Sequence, residues 1–394
     1  MEFQVEAFDE RVRAVGDEER RAARQAVEAL ARPRMTGTAG AAETEAELRR
    51  RFEELGYTVE ALPFSFSTWP GRFGVPLAGA IVIAGTVGAT TLLTLRRPGA
   101  AAAVLGAAAI LAGFGALFSR RAIAGFPLSR TTTANWLIRR PNARPRRIVV
   151  AHRDTKSQPV STYLRTTGIA LSGFSTVALL VLAGIGALER TWISVPLTIG
   201  VGTLGLIGGG LLAACVAKNE SPGALDNASG LAALLGIARR ERESEDVAFL
   251  VTDGEELGLA GAADAARRLP PLDGVINLDG LDDDGEFRLA DRFGWPRRRG
   301  GLAPHLVAAF LASAGALGLS IDRRDLPPGV LVDHIPFARA GYPALTLLRG
   351  TARSLRRVHR PEDAPDQLTG EGAALAVALV SGALEWLRAA GTRA

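Results

Sequence analysis

The chain has 394 residues, 22% of them charged, and a formal charge of +5 in which Lys156 and Lys218 are the only lysines. No basic run is interleaved with aromatics, so nucleic-acid binding is not indicated, and arginine beside anionic lipid is the expected use of the charge. A single cysteine, Cys215, excludes an intrachain disulfide framework and a thiolate metal site.

In chain order, the start "MEFQVEAFDERVRAVGDEERRAARQ" alternates acids and bases without an apolar core, so no cleaved signal peptide is expected there. "ETEAELRRRFEELGY" places Leu48, Phe52 and Leu55 at helical spacing, and "TVEALPFSF" follows as a strand. Two apolar stretches come next, 75–95 and 100–118, joined by "RRPGA". After strand-like "TANWLIRR" and "RRIVVAHRD", two more apolar stretches, 167–188 and 193–217, are joined by "ERTWI". Each is close to the ~20 residues that cross a ~30 Å hydrocarbon core. Their glycines, alanines, serines and threonines suit close helix packing in lipid. Two transmembrane helical hairpins are therefore expected, and all remaining polypeptide falls on one face of the membrane.

The remainder alternates helix and strand: "SGLAALLGIARR" is a short amphipathic helix, and "DVAFLVTD", "GVINLDG" and "YPALTLL" are buried strands. The expected fold class is α/β, a mainly parallel central sheet covered by helices. Segments 1–74, 119–166 and 218–394 would make one domain, interrupted by hairpins at 75–118 and 167–217. Arg72, Arg120, Arg121, Lys156, Arg165 and Lys218 lie near the helix ends on the domain side, against Arg96, Arg97 and Arg190 in the opposite turns. The positive-inside rule then places the domain in the cytoplasm, anchored in the plasma membrane of a bacterium.

In such sheets the ligand site lies beyond the carboxyl ends of the strands. The histidines and strand-ending acids fall there: His152 and Asp154 in "IVVAHRDT", Asp226 in "GALDNASG", Glu255 and Glu256 in "TDGEELG", Asp279 in "INLDGLDD", His359 in "VHRPEDAPD". Imidazole and carboxylate suit zinc, and a converging set would relieve the repulsion between adjacent Glu255 and Glu256. Singly, each has a plainer reading: Asp226 and Ser229 as a helix cap, the glutamates as a solvated loop, Asp279 with Asp282 to Asp284 as an acidic turn, His152 as a core imidazole.

The ordered set H-x-D, D-N-x-S-G, E-E-x-G-L, a strand-ending D and a late His followed by an acid resembles the co-catalytic zinc peptidases, the family of the bacterial leucyl aminopeptidases and glutamate carboxypeptidases. "TGTAG" and "VDHIPFARAGYPAL" extend the resemblance over the non-membrane portion. It implies two zinc ions, with His152 and Asp279 binding one, Glu256 and His359 the other, and Asp226 bridging. It further implies that Glu255 is the general base, that Asp154 orients His152, and that a peptide is the substrate, cleaved by an aminopeptidase. His334 would line the substrate pocket, while His305 reads as an ordinary helix residue. Val358 stands where many relatives carry a tyrosine suited to the oxyanion. A complete hairpin also separates H-x-D from D-N-x-S-G, a segment short in the family. A non-catalytic membrane scaffold and a single-zinc glutaminyl cyclase are the alternatives. A transporter is disfavoured because the apolar stretches hold almost no charge.

Overall fold

The computed structural model describes residues 16–122, 126–189, 194–294, 299–326 and 330–391. The chain divides into two compact units, one formed by 1–65, 131–157 and 219–394, the other by 66–130 and 158–218.

The first unit is built on a sheet. Its strands are β1 (Thr58–Ser67), β2 (Arg130–Arg139), β3 (Arg147–His152), β4 (Val247–Thr252), β5 (Gly274–Leu281), β6 (Phe287–Ala290), β7 (Arg292–Phe293), β8 (Arg299–Gly300), β9 (Ile321–Arg323) and β10 (Ala344–Arg349). Eight form one sheet in the order β1-β2-β4-β3-β5-β10-β6-β9, and β7 pairs with β8 as a separate ribbon. The centre, β4-β3-β5-β10, is parallel, with antiparallel β2 and β6 on either side of it. β3 and β4 are buried at all six positions, as parallel strands covered on both faces must be, so their sequences run apolar without alternation.

Helices cover both faces. The twelve described helices are α1 (Asp17–Leu30), α2 (Ala39–Glu54), α3 (Trp69–Thr94), α4 (Pro98–Ala122), α5 (Thr162–Glu189), α6 (Val195–Ala213), α7 (Ser229–Arg240), α8 (Ala260–Arg268), α9 (Pro304–Leu317), α10 (His334–Arg339), α11 (Ser354–Arg357) and α12 (Glu371–Gly391). One core packs α1, α2, α7, α9 and α12 on the sheet through residues such as Leu30, Phe52, Leu234, Phe310 and Leu379. The other packs α8 and α10 on the opposite face through Ala262, Ala265, Ile335 and Phe337. Phe52, Tyr57 and Phe249 form an aromatic cluster with centroids 5.5 to 6.2 Å apart, and Tyr57 Oη donates to Ala238 O at 2.9 Å. This fixes the entry to β1 against the back of β4.

The second unit comprises α3, α4, α5 and α6. Glycine sets their spacing: a Cβ on Gly79 would come within 2.3 Å of Ala213 N and 2.6 Å of Gly209 O, and one on Gly205 within 2.5 Å of Ser175 Oγ. Ser175 Oγ donates to Val201 O at 2.8 Å, satisfying a hydroxyl among apolar helices. Large apolar side chains face outward along these helices, with Ile110 at 70%, Phe174 at 59%, Val177 at 62% and Leu188 at 86% exposure. On the first unit only Leu302, Leu311 and Leu355 are comparably exposed among the described residues.

Four helices are long and apolar enough to cross a membrane by length and composition: Trp69–Thr94, Thr162–Leu188, Val195–Ala213 and Glu371–Gly391. Three coincide with apolar stretches of the sequence. The stretch 100–118 lies in α4, whose described side chains end at residue 113. The fourth, α12, differs in kind, because Ala376, Leu379, Val380, Ala383 and Leu384 are buried in the first unit's core. A helix apolar all round is explained there by protein packing. The turn at 190–193 lies outside the described residues.

Candidate metal centre

The residues singled out by the sequence leave the fold at the carboxyl ends of the parallel strands. His152 is the last residue of β3, Glu255 and Glu256 follow β4 by three and four positions, and Asp279 lies near the end of β5. Asp226 sits in the turn Ala224–Ala228 that feeds α7, and His359 follows α11 with a left-handed φ of 64°.

Folding brings five of them together. Among the described residues, ligand atoms of His152, Asp226 and Asp279 lie within 4.8 Å of one another, and so do those of Asp226, Glu256 and His359. Asp226 belongs to both sets and divides its oxygens between them. Oδ1 is 3.1 Å from His152 Nε2, and Oδ2 is 3.1 Å from His359 Nε2. His152 Nε2 is 3.8 Å from Asp279 Oδ1, and His359 Nε2 is 3.0 Å from Glu256 Oε2. Buried Glu256 Oε1 has no hydrogen-bond partner, and buried His152 Nε2 faces only the carboxylate oxygens of Asp226 and Asp279, so both are available as ligands.

Charge points the same way. Burial alone would lower the His152 imidazole, but Glu255, Asp226 and Asp279 outweigh it and hold it well above its ordinary value. Burial also works against Asp226, yet bonds to His152 and His359 hold that carboxyl well below the usual range. Burial pushes the Glu255 carboxyl well up, with Glu256, Asp279 and Asp333 adding to it against His152. So many buried carboxylates around two imidazoles leave the site short of positive charge. Nitrogen and oxygen donors arranged this way fit zinc.

Asp154 is fully buried, and its two carboxylate oxygens accept the backbone N–H groups of Glu255 and Glu256, each at 3.1 Å. His152 Nδ1 is 3.1 Å from Asp154 O and 3.7 Å from Oδ1. Asp154 thus ties β3 to the turn carrying both glutamates as well as bordering the imidazole.

Four contributors went unread in the sequence. Asp363 accepts the N–H of Leu225 at 2.8 Å and of Asp226 at 3.1 Å, while its carbonyl accepts the N–H of Ala224 at 3.0 Å. Arg34 is fully buried and donates to the carbonyls of Arg32, Arg153, Pro222 and Gly223. Burial lowers its pKa to about 10, with Asp363 and Asp226 opposing. Asp333 accepts from Thr252 Oγ1 at 2.5 Å, and burial raises its carboxyl to about 6. Lys156 Nζ lies 2.7 Å from Glu256 Oε2 and 3.1 Å from Glu256 O. Two of them lie in motif segments, Asp363 after the late histidine and Asp333 in "VDHIPF", though neither segment by itself gives the acid a role.

Two histidines stand outside the donor sets. His334 is fully buried at the start of α10, with Nδ1 2.7 Å from Thr346 Oγ1 and its ring 6.2 Å from that of Phe293. His305 opens α9 with Nε2 2.7 Å from Asp273 O.

The fold and donor sets define a zinc-peptidase-like α/β protein. Residues 212–383 match the model of peptidase family M28, bearing out the resemblance to the co-catalytic zinc peptidases. Similar solved structures share the fold. An aminopeptidase from Aneurinibacillus sp. strain AM-1 has 14% identity and a TM-score of 0.53, over 93% of each chain. BSAP, a zinc aminopeptidase from Bacillus subtilis, has 15% identity and a TM-score of 0.53, over 93% of this chain and 94% of that one. A glutaminyl cyclase from Fimbriiglobus ruber has 18% identity and a TM-score of 0.52, over 93% of each. No curated protein sequence matches the chain.

Proposed function

We propose that the protein is a membrane-anchored two-zinc aminopeptidase. The observation that carries this reading is the pair of donor sets sharing Asp226, with each of its carboxylate oxygens 3.1 Å from a different histidine. His152 and Asp279 would hold one ion, Glu256 and His359 the other, and Asp226 would bridge them. Zinc held there supplies Lewis acidity toward the scissile carbonyl and toward water. Glu255, outside both donor sets, takes the proton from the attacking water on a carboxylate oxygen and returns it to the departing amine. Its burial among carboxylates makes it a base poised closer to neutrality than an exposed glutamate. Asp154 keeps His152 oriented; His334, expected in the pocket wall, has no exposed surface and is held in the core by Thr346 and Phe293.

The membrane part of the proposal rests on the outward apolar faces of α3, α5 and α6, because soluble surfaces rarely carry contiguous apolar patches of that size. With the arginine distribution at their ends, it gives an integral membrane protein of four helices, its peptidase unit in the cytoplasm.

Glutaminyl cyclisation is the second reading, favoured by the comparable fold similarity to a glutaminyl cyclase. Zinc per chain on detergent-purified protein separates the two, measured beside hydrolysis of amino-acid p-nitroanilides and cyclisation of an N-terminal glutaminyl peptide. About two zincs with p-nitroanilide hydrolysis supports the aminopeptidase. One zinc with cyclisation moves the assignment to the second reading, and no zinc after reconstitution refutes both.

A further inference from the structure

The two halves of the centre differ in their bonded cations. The His152–Asp226–Asp279 half has no cationic side chain bonded to any of its three members among the bonds described. The Asp226–Glu256–His359 half has Lys156, whose ammonium is 2.7 Å from the same Glu256 oxygen that lies 3.0 Å from His359 Nε2. Lys156 Nζ also donates to the Glu256 carbonyl oxygen at 3.1 Å. That second bond goes to main chain, so it persists whatever the carboxylate binds and keeps the ammonium beside the half-site. The side chain is 12% exposed, which leaves little water to screen it.

Lysine is unusual here in its own right. Of 46 lysines and arginines only two are lysines, so the ammonium at 156 is not this chain's default cation. A compact ammonium fits between a carboxylate oxygen and a carbonyl where a planar guanidinium would reach further. The other cation nearby, Arg34, is spent on four backbone carbonyls; within the donor sets it acts on the shared Asp226 and on Glu256, so whatever field it adds falls on the same half as Lys156.

From this asymmetry, and resting on the two-zinc reading, we propose that Lys156 is a positioning residue that sets the order of metal loading. It competes for Glu256 and repels a divalent cation in the Asp226–Glu256–His359 half, so the His152–Asp226–Asp279 half fills first and tightly while the other fills only at higher free zinc. One ion is then resident and the second is acquired, which makes the two-metal state of the enzyme dependent on zinc supply.

The test is stepwise zinc titration of the full chain, stripped by chelation in detergent and read by competition with a chromophoric zinc indicator. In the unaltered protein two steps are expected. His359→Ala should abolish the weaker step and leave the tighter one, and Asp279→Asn should do the reverse. Lys156→Met should tighten the weaker step by about 10- to 100-fold, the range over which partners of metal ligands tune affinity. Mutual repulsion of two ions alone would also give two steps, so the proposal stands on which half is tight and on the shift in Lys156→Met. It is overturned if His359→Ala removes the tighter step, or if Lys156→Met leaves the gap unchanged. Should Lys156→Met not fold, as read by circular dichroism, the His359→Ala and Asp279→Asn titrations still decide. Absence of zinc binding refutes the enzyme reading as well, whereas two bound zincs with unchanged spacing in Lys156→Met refutes only the role of Lys156.

Discussion

Asp363→Asn tests whether a residue outside the two donor sets holds Asp226, the acid they share, in place. Three consecutive backbone N–H groups, of Ala224, Leu225 and Asp226, converge on Asp363. The first goes to its carbonyl and survives the substitution. The other two go to separate carboxylate oxygens, and an asparagine can accept only one of them. The remaining N–H would face an amide NH2, donor against donor, in a site from which water is largely excluded. Hydrogen bonds to charged groups contribute about 1.5–3 kcal/mol, and a buried donor left unpaired costs about 1–3 kcal/mol. Asp363 is raised to about 7 by burial, partly opposed by those backbone N–H groups, so near neutral pH only part of the charged-group contribution applies and the lower end is expected. The turn relieves the clash by turning the Asp226 amide away, and the Asp226 carboxylate goes with it. Zinc affinity should fall about 10- to 100-fold while the far-ultraviolet circular dichroism stays unchanged. Equilibrium dialysis against a zinc buffer measures this. Unaltered affinity and peptidase rate in a folded Asp363→Asn protein would refute the view that Asp363 positions Asp226.

Glu255→Gln should retain zinc and lose peptidase activity by about 10²- to 10⁴-fold, as removal of a general base does; loss of zinc instead would make Glu255 a ligand. His334 should make the protein less stable in acid. Burial lowers its pKa to about 4, so the folded state refuses a proton that the unfolded chain accepts near 6.5, and stability falls as pH drops from about 6.5 to about 4. A shift of 2.5 units corresponds to about 3 kcal/mol, so denaturant midpoints of the wild type and His334→Asn should converge at low pH; parallel pH curves would contradict this. In the four-helix unit, Gly205→Val should lower thermal stability in detergent, since its Cβ alone would come within 2.5 Å of Ser175 Oγ and 2.8 Å of Thr86 Oγ1. Gly184→Ala, with nothing within 4 Å of the added Cβ, is the control and should be tolerated.

Much of this protein is determined by short-range sequence pattern. The parallel centre follows from the continuous apolar runs "RIVVAH" and "VAFLVT", since strands covered on both faces need no polar alternation. The donor set was legible because its members lie at or just past the ends of strands and in the turns beside short helices, each within a short motif. The apolar helices α3, α5 and α6 were equally plain, since spanning length and lack of charge are local properties. The short strands β6 and β9 were not, because four- and three-residue strands carry too little periodicity. Nor was α12, whose apolar composition suits a membrane as well as a core, so that only its packing on α7 and α9 tells them apart.

What only the tertiary structure decided lies in contacts across long separations. Asp363 reaches the Asp226 turn over 137 residues, Lys156 reaches Glu256 over 100, and Arg34 reaches Gly223 over 189. In sequence each is an ordinary acid or base beside other charges. A lysine near H-x-D carries no periodicity and completes no motif. Its place against one half of the centre arises because β3 and β4 are adjacent and parallel, which brings the residues after both strands to the same edge of the sheet.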